Sequence, residues 1–440
     1  MMMERFTTSC FHICSDHVPA RKNRSAPEKQ KIPKQRRSLI RRRSHLRKRY
    51  RDARSETARQ SLSEKMISIE KKLLESHKQN KALSETRAVS NIKTNPKYFY
   101  AYAKRLSKVK VGIGPLIDTS KKLINAPRKI AELLSEQYCS VFSSPLHDDV
   151  TPGLIFPKCD VLNHHSLTDV TFSAAELAEA MHELDPTSAP GPDSFPAILL
   201  HKCSDSLSSP LAKIWRSSIK TGEIPLVCKA ATITPIHKGK SRAVPKNYRP
   251  VALTSHLIKV FEKVIRKRIV QFMEKHELFN NSQHGFRGGR SCLSQLLAHF
   301  DHITSCLEKG YGVDVVYLDF AKAFDKLDHD ITLYKLKSLG IHGNLATWIT
   351  NFLTNRTQSV IVDGRKSLPR PVISGVPQGS VLGPLLFLVL IGDIDKNVVS
   401  SFLSSFADDT RVGKEISSPT DPITLQADLA AIYALSLIHI

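Results

Sequence analysis

The sequence predicts an α+β protein: an antiparallel sheet with helices packed on it, preceded by a basic, mainly helical region. Two stretches set the strands. Val313 to Phe320 (VDVVYLDF) and Ser405 to Thr410 (SFADDT) are apolar, β-prone runs. Each delivers carboxylate at its end, Asp319 in the first and Asp408 with Asp409 in the second. Helical spacing elsewhere sets the rest of the class, as in Leu62, Met66, Ile69 and Leu73, which recur every three or four residues.

Composition bounds what such a chain can do. Its 440 residues, 41% of them hydrophobic, suffice for two or three domains with a buried core. A formal charge of +24 points to a polyanionic partner, either nucleic acid or an anionic membrane surface. The N-terminus lacks the apolar core of a signal peptide, and the longest apolar stretch, Leu385 to Ile391, is too short to span a bilayer. No membrane partner is expected. The eight cysteines lack the paired spacing of a disulfide scaffold and read as reduced thiols of an intracellular protein, nuclear or cytoplasmic. Cys10, His12, Cys14 and His17 crowd together, but their spacing matches none of the usual two-plus-two zinc patterns.

In chain order, residues 1–20 show no clear periodicity and read as the remnant of an upstream region. Arg21 to Arg54 hold sixteen Lys and Arg against two acids, Glu28 and Asp52, more than half of the whole excess. The clusters Arg41-Arg42-Arg43 and Arg47-Lys48-Arg49 would spread around a helix. Charge of one sign favours direct contact with phosphates, a solvated segment or nuclear-import signal being the alternative. Residues 55–89 then read as a packing helix or short helical hairpin, which Asn95-Pro96 stops. Lys97 to Arg105 interleaves Tyr98, Phe99, Tyr100 and Tyr102 with bases. Such rings suit either stacking on single-stranded nucleic acid or burial in a helix. With a further helix from Pro127 to Phe142, residues 21–142 form one basic, mainly helical linker region. Residues 143–169, rich in Pro, His and Asp, form a second linker.

From residue 170 the elements follow closely. Ser173 and Glu176 make a capping box for a helix to Leu184, and the prolines between Pro186 and Pro196 force a loop. A helix at Leu207 to Lys220 and a strand at Ala230 to Ile236 come next. Lys238 and Arg249 flank a flexible loop; both stay charged and can reach phosphate oxygens, which suits a triphosphate. Ile258 to Phe272 is a basic amphipathic helix. Gln283 to Ser291 is a Gly-rich basic loop, followed by a helix at Leu293 to Leu307. Val313 to Leu318 is expected to be a buried strand ending in Asp319, with a short helix-like turn at Ala321 to Asp325. Phe402 to Ala407 and Thr410 to Val412 form a hairpin that would bring Asp408 beside Asp319.

Converging carboxylates on strand ends have a specific chemical use. Magnesium takes hard oxygen ligands and is usually held by one or two carboxylates plus substrate phosphates. Two ions about 4 Å apart lower the pKa of an attacking hydroxyl and stabilise a leaving pyrophosphate. Phosphoryl transfer needs little beyond positioning and charge neutralisation. A single Asp after a strand is ordinarily a helix cap or a solvated loop residue. Here the three belong to an ordered set.

Tyr317 to Asp325 (YLDFAKAFD), Ser374 to Pro384 (SGVPQGSVLGP) and Phe406 to Thr410 (FADDT) resemble the successive core motifs of reverse transcriptases. The resemblance is in particular to non-LTR (LINE-type) retrotransposons that carry an upstream endonuclease. Pro235 to Gly239, Asn247 to Pro250, Gln283 to Arg287 and Asn95 to Phe99 extend it to roughly residues 90 to 415. It implies a right-hand polymerase, with fingers and a partial palm over 170–415, acting as an RNA-directed DNA polymerase. RNA template, a DNA primer or target, and dNTPs would be its partners, and two Mg2+ ions, with Mn2+ as a substitute, its cofactors.

Carried over residue by residue, Asp319 and Asp408 would bind metal, with Asp409 assisting. Phe320 would lend a backbone carbonyl, and Phe324 would exclude a 2′-hydroxyl. Gln378 and Gly379 would line the nucleotide pocket, and Lys238 and Arg249 would hold the triphosphate. The chain departs from the pattern at Gly392-Asp393, where these proteins commonly have Asn-Asp. About thirty residues follow Thr410, too few for a thumb, and the last six resemble translated adapter sequence. Residues 416–440 are therefore expected to be a truncated, non-native tail with the thumb missing. A catalytically inactive nucleic-acid-binding fragment is the alternative reading. A maturase or telomerase-like polymerase is disfavoured by the basic linker and the flanking motifs.

Overall fold

A computed structural model describes residues 2–18, 34–53, 55–106, 112–143 and 165–439. Residues 21–33 and Arg54 of the basic run, residues 144–164 of the second linker, and the side chains of Lys104 and Arg105 lie outside the described residues. The chain divides into two compact units, Ser15–Gly112 and the combination of Met1–Cys14 with Ile113–Ile440.

Helix α1 (Met2–His17) opens the chain. Met3 and Cys10 are buried in the core of the larger unit, and Phe6 and Phe11 pack their rings on Phe195. Residues 2–17 thus carry a helical period, Met3, Phe6 and Cys10, hidden in the sequence by the polar residues between them.

The smaller unit is helical: α2 (Lys34–Asp52), α3 (Glu56–Ser90) and α4 (Pro96–Leu106). Leu39 and Leu46 of α2 meet Leu62, Met66, Ile69 and Leu73 of α3 in one apolar seam. The basic helix therefore has a packing face as well as a charged one. Pro96 begins α4, and the Asn95 side chain accepts the N–H of Tyr98 (3.2 Å), closing the new helix's first turn.

In the larger unit a small hairpin, β1 (Leu116–Ile117) and β2 (Leu123–Ile124), leads into α5 (Pro127–Cys139). The sequence reading placed residues 113–142 in the linker region. Residues from Ile113 onward lie in the larger unit, where Ile130, Leu134 and Tyr138 of α5 pack in one cluster with Ile233, Tyr248 and Val360. Helices α6 (Ala174–His182), α7 (Ala197–Lys202) and α8 (Ser204–Thr221) follow, α6 opened by the expected Ser173–Glu176 capping box. Residues 165–169 already belong to the body: the Leu167 N–H donates to Gly340 O (2.9 Å).

Strands β3 (Ala230–His237) and β4 (Tyr248–Leu253) pair antiparallel, placing Ile236 opposite Arg249. Next come α9 (His256–Lys275), α10 (Cys292–Glu308), β5 (Gly312–Asp319), α11 (Ala323–Lys326), α12 (His329–Ser338) and α13 (Gly343–Leu353). Strands β6 (Arg356–Val362), β7 (Arg365–Lys366) and β8 (Arg370–Val372) complete the first sheet, ordered β4-β3-β6-β7 with β8 also on β6. Helix α14 (Gly383–Leu390), strands β9 (Phe402–Phe406) and β10 (Asp409–Ile416), and α15 (Asp421–His439) finish the chain. The second sheet, ordered β5-β10-β9, is wholly antiparallel.

Trp215 stacks on Phe261 at 4.7 Å, and Trp348 meets the same ring edge-on at 5.3 Å. These rings join α8, α9 and α13 in one core, to which the fully apolar α14 adds Leu385 to Leu390. One expectation is corrected here. β5 is not a buried strand: it lies at a sheet edge, its residues alternate between exposed and half-buried, and Tyr317 is 69% exposed. An edge strand has a neighbour on one side only, so an apolar sequence does not suffice to bury it. Residues 421–439 form α15, whose Leu425 and Ile432 pack with Val412 and Ile394.

Candidate active site

The site forms where β5 ends beside the β9–β10 hairpin. Asp319 and Asp409 are cross-strand partners, so their side chains share one face of the sheet. Asp408 sits in the turn, after Ala407, which adopts the left-handed conformation (φ 55°). That conformation costs a residue with a Cβ about 1 kcal/mol or more, and something must hold it. The holder is Gln283. Its Oε1 accepts the N–H of Ala407 (2.8 Å) and of Gly285 (2.7 Å), and its Nε2 donates to Ala407 O (3.1 Å).

Burial pushes the Asp408 carboxyl above its ordinary pKa, the negative charges of Asp409 and Asp319 push it further, and Arg249 opposes them. Asp408 is half-buried, with Asp319 and Asp409 exposed beside it, and like charges gathered on a partly desolvated carboxylate favour a cation there. Among the described residues no group of three or more His, Cys, Asp or Glu side chains has the arrangement of a closed metal cage. The donor set nevertheless fits a hard divalent ion, because such ions commonly take one or two carboxylates and complete their shell with phosphate oxygens and water.

Phe320 follows Asp319 directly and packs against two apolar clusters, the main core and the smaller one that includes Val412 and Leu425. The chain then turns through Lys322 (φ 60°) into α11. The Phe324 ring stacks on Phe387 at 4.6 Å and meets Phe286 edge-on at 6.1 Å. The loop 374–380 is stapled to this turn: Gly375 donates to Leu327 O (2.7 Å) and Val376 to Phe324 O (2.9 Å). A Cβ on Gly375 would stand 2.5 Å from Asp325 O, so glycine is required there. Gln378 donates through Nε2 to Asp325 Oδ1 (2.7 Å), and its carbonyl accepts the Ala252 N–H (2.8 Å). Gly379, with φ 133°, lies so close to Ala252 O that a Cβ would reach 2.5 Å. Gln378 and Gly379 are thereby fixed between α11 and β4.

Arg249, exposed on β4, lies near enough for its charge to lower both Asp325 and Asp408. Its charge thus acts both on the metal-turn carboxylate Asp408 and on Asp325, the partner of Gln378. Lys238 is placed differently. It stands past the end of β3, its N–H donated to Asn247 O (2.8 Å) and its side chain in solvent. Of the arginine clusters on α2, Arg41, Arg42, Arg47, Lys48 and Arg49 are exposed and Arg43 is half-buried; Arg47 pairs with Glu70 at 3.4 Å.

Three contributors have no assignment in the sequence reading. Gln283 and Asp325 both lie inside motifs quoted above, yet nothing in a linear sequence says which backbone a side chain will meet 124 positions away. Glu262 is fully buried on α9 and accepts the N–H groups of Val381 (2.7 Å) and Leu382 (2.9 Å), anchoring the start of α14. Burial pushes its carboxyl upward, and those two hydrogen bonds oppose the shift.

Residues 236–433 match the family described as reverse transcriptase (RNA-dependent DNA polymerase). The chain is 33% identical over 220 residues to the probable RNA-directed DNA polymerase from transposon BS of Drosophila melanogaster, covering 50% of this chain and 24% of that protein. It is 31% identical over 290 residues to the RNA-directed DNA polymerase from mobile element jockey of the same species, covering 62% and 31%. A retrovirus-related Pol polyprotein from the type-1 retrotransposable element R2 of Popillia japonica is 27% identical over 208 residues, with 47% and 28% covered. The chain thus spans roughly a quarter to a third of the length of these relatives.

Proposed function

We propose that residues 236–433, which match the reverse transcriptase family and resemble non-LTR retrotransposon polymerases, form a reverse transcriptase domain that contributes RNA-directed DNA polymerisation to its parent protein. The observation that carries the reading is the convergence of Asp319, Asp408 and Asp409 beside Arg249. In this reading the second sheet is the palm and the first sheet, with α5, the fingers.

Asp319 and Asp408 would hold two magnesium ions, with Asp409 adding charge opposite Asp319 and Phe320 supplying its carbonyl. When bound, the ions lower the pKa of a primer 3′-hydroxyl and neutralise charge on the departing pyrophosphate. The chain's own residues do the rest. Arg249 would contact the triphosphate from β4, with Lys238 reaching in from the adjoining loop. Gln378, held by Asp325, and Gly379 shape the floor on which the nucleotide lies. Phe324, braced by Phe387, fills the volume that a 2′-hydroxyl would need. The exposed face of α2 supports electrostatic contact with nucleic acid; that contact is independent of sequence and strongly salt-dependent.

The test is steady-state extension of a DNA primer on an RNA template by the full chain with Mg2+. Asp319→Ala and Asp408→Ala should each lose about 10^3-fold or more, since a metal-borne stabilisation of several kcal/mol converts to that factor. Full activity in either variant would remove the reading. Binding without extension by the unaltered chain would favour a nucleic-acid-binding role instead.

A further inference from the structure

We propose that Gln283 is a positioning residue for this chemistry: it sets the Asp408 carboxylate by clasping the turn that carries it. The inference rests on the polymerase reading above and adds a residue to it. Gln283 is nearly buried, at 6% exposure, in the Gly-rich loop ahead of α10. Its amide reads Ala407 from both sides, accepting from the N–H and donating to the carbonyl, while the same oxygen binds Gly285 N–H. One side chain thus satisfies both polar groups of the left-handed Ala407 and ties its own loop to them.

The fit of the two backbones is tight. A Cβ on Gly285 would fall 2.3 Å from Ala407 N, so only glycine admits the turn at this distance. The approach is continued by backbone bonds from His284 N–H to Ser405 O and from Ser405 N–H to Ser282 O, both 2.9 Å. Asp408 follows Ala407 directly, and a change of Ala407 out of its left-handed state would swing the carboxylate away from Asp319. The loop also reaches the other side of the site, since Phe286 lies edge-on to Phe324. The metal turn and the bulky ring beside the nucleotide are therefore braced by one segment, and Gln283 is its grip on the turn.

The test compares the full chain with Gln283→Ala, and with Gln283→Ala combined with Ala407→Gly. Primer extension should show kcat lowered about 10- to 100-fold, the range for residues that orient metal-binding groups. The KM for dNTP should stay within about twofold. Mn2+ affinity, read by electron paramagnetic resonance, should weaken, and the Ala407 amide should exchange hydrogen faster. Glycine at 407 adopts the left-handed state without a Cβ penalty, so the double variant should recover part of kcat. A merely structural role would lower the amount of folded enzyme and give no such rescue. Should Gln283→Ala fail to fold, Gln283→Asn, one methylene short of the span, takes its place with the same expectations. Unchanged kcat and Mn2+ affinity would overturn the proposal. Should the unaltered chain extend no primer, the polymerase reading fails by itself, and unchanged exchange at Ala407 in the variant would separately overturn the clasp.

Discussion

Asp408 is the residue on which stability and function pull in opposite directions. Burial and the charges of Asp409 and Asp319 raise its pKa in the folded chain. The folded state then holds that proton more tightly than the unfolded state, so the folded state loses ground as pH rises past the ordinary aspartate value of about 4. Asp408→Asn removes the penalty. In EDTA at neutral pH the variant should melt at a higher temperature than the parent, with the gap closing below about pH 4; a lower melting temperature at neutral pH would contradict the electrostatic account. Phe324 offers a second test at this scale. Phe324→Ala leaves Phe387 and Phe286 facing an opening, and relative use of ribonucleotides over deoxyribonucleotides should rise on the order of 10- to 100-fold in kcat/KM. The convergence of Asp319 with Asp408 and Asp409 was legible in the sequence because each run ends in carboxylate within an ordered motif. Asp325 and Gln283 were not, because their roles are defined by a glutamine amide and by backbone groups distant in sequence.

At the scale of elements, α15 is held by one carboxylate. Asp428 Oδ1 accepts the N–H of Val399 (3.0 Å), and Oδ2 those of Ser400 (3.1 Å) and Ser401 (2.8 Å). Burial acts to raise its pKa, but these hydrogen bonds outweigh it and bring it down to about 2. A folded pKa below the unfolded value gives stability that is present above about pH 4 and lost as pH falls toward 2. Asp428→Ala should therefore lower stability by about 1–3 kcal/mol at neutral pH, the cost of unpaired donors, and by much less near pH 2. Denaturant melts at the two pH values check this, and an equal loss at both would contradict it. Helices α3, α5, α6, α9 and α10 were readable from spacing and caps, since amphipathic periods and a Ser173–Glu176 box are local signals. The exposure of β5 was not readable, because strand composition does not reveal a sheet edge. The place of α5 was equally hidden: its apolar face is visible in sequence, and the sheet it covers is not.

Charge is the property of the whole molecule, and its formal +24 is concentrated early in the chain. Composition made a polyanionic partner legible; only the structure shows that α2 spends one face on Leu39 and Leu46 and keeps most of its bases outward. Replacing Arg41, Arg42, Arg43, Arg47, Lys48 and Arg49 by Gln should flatten the dependence of nucleic-acid affinity on salt. Each phosphate that the helix no longer neutralises reduces the log–log slope by about 0.9 for duplex DNA or about 0.7 for a single strand. An unchanged slope would remove α2 from the interface. RNA-directed polymerisation at Asp319, Asp408 and Asp409 is the function proposed for this molecule. It is tested most directly by extending a DNA primer on an RNA template with Mg2+, using the full chain beside Asp408→Ala. Template-directed extension by the first and a loss of about 10^3-fold or more in the second is the predicted result; no extension by the unaltered chain, or equal extension by both, would contradict it.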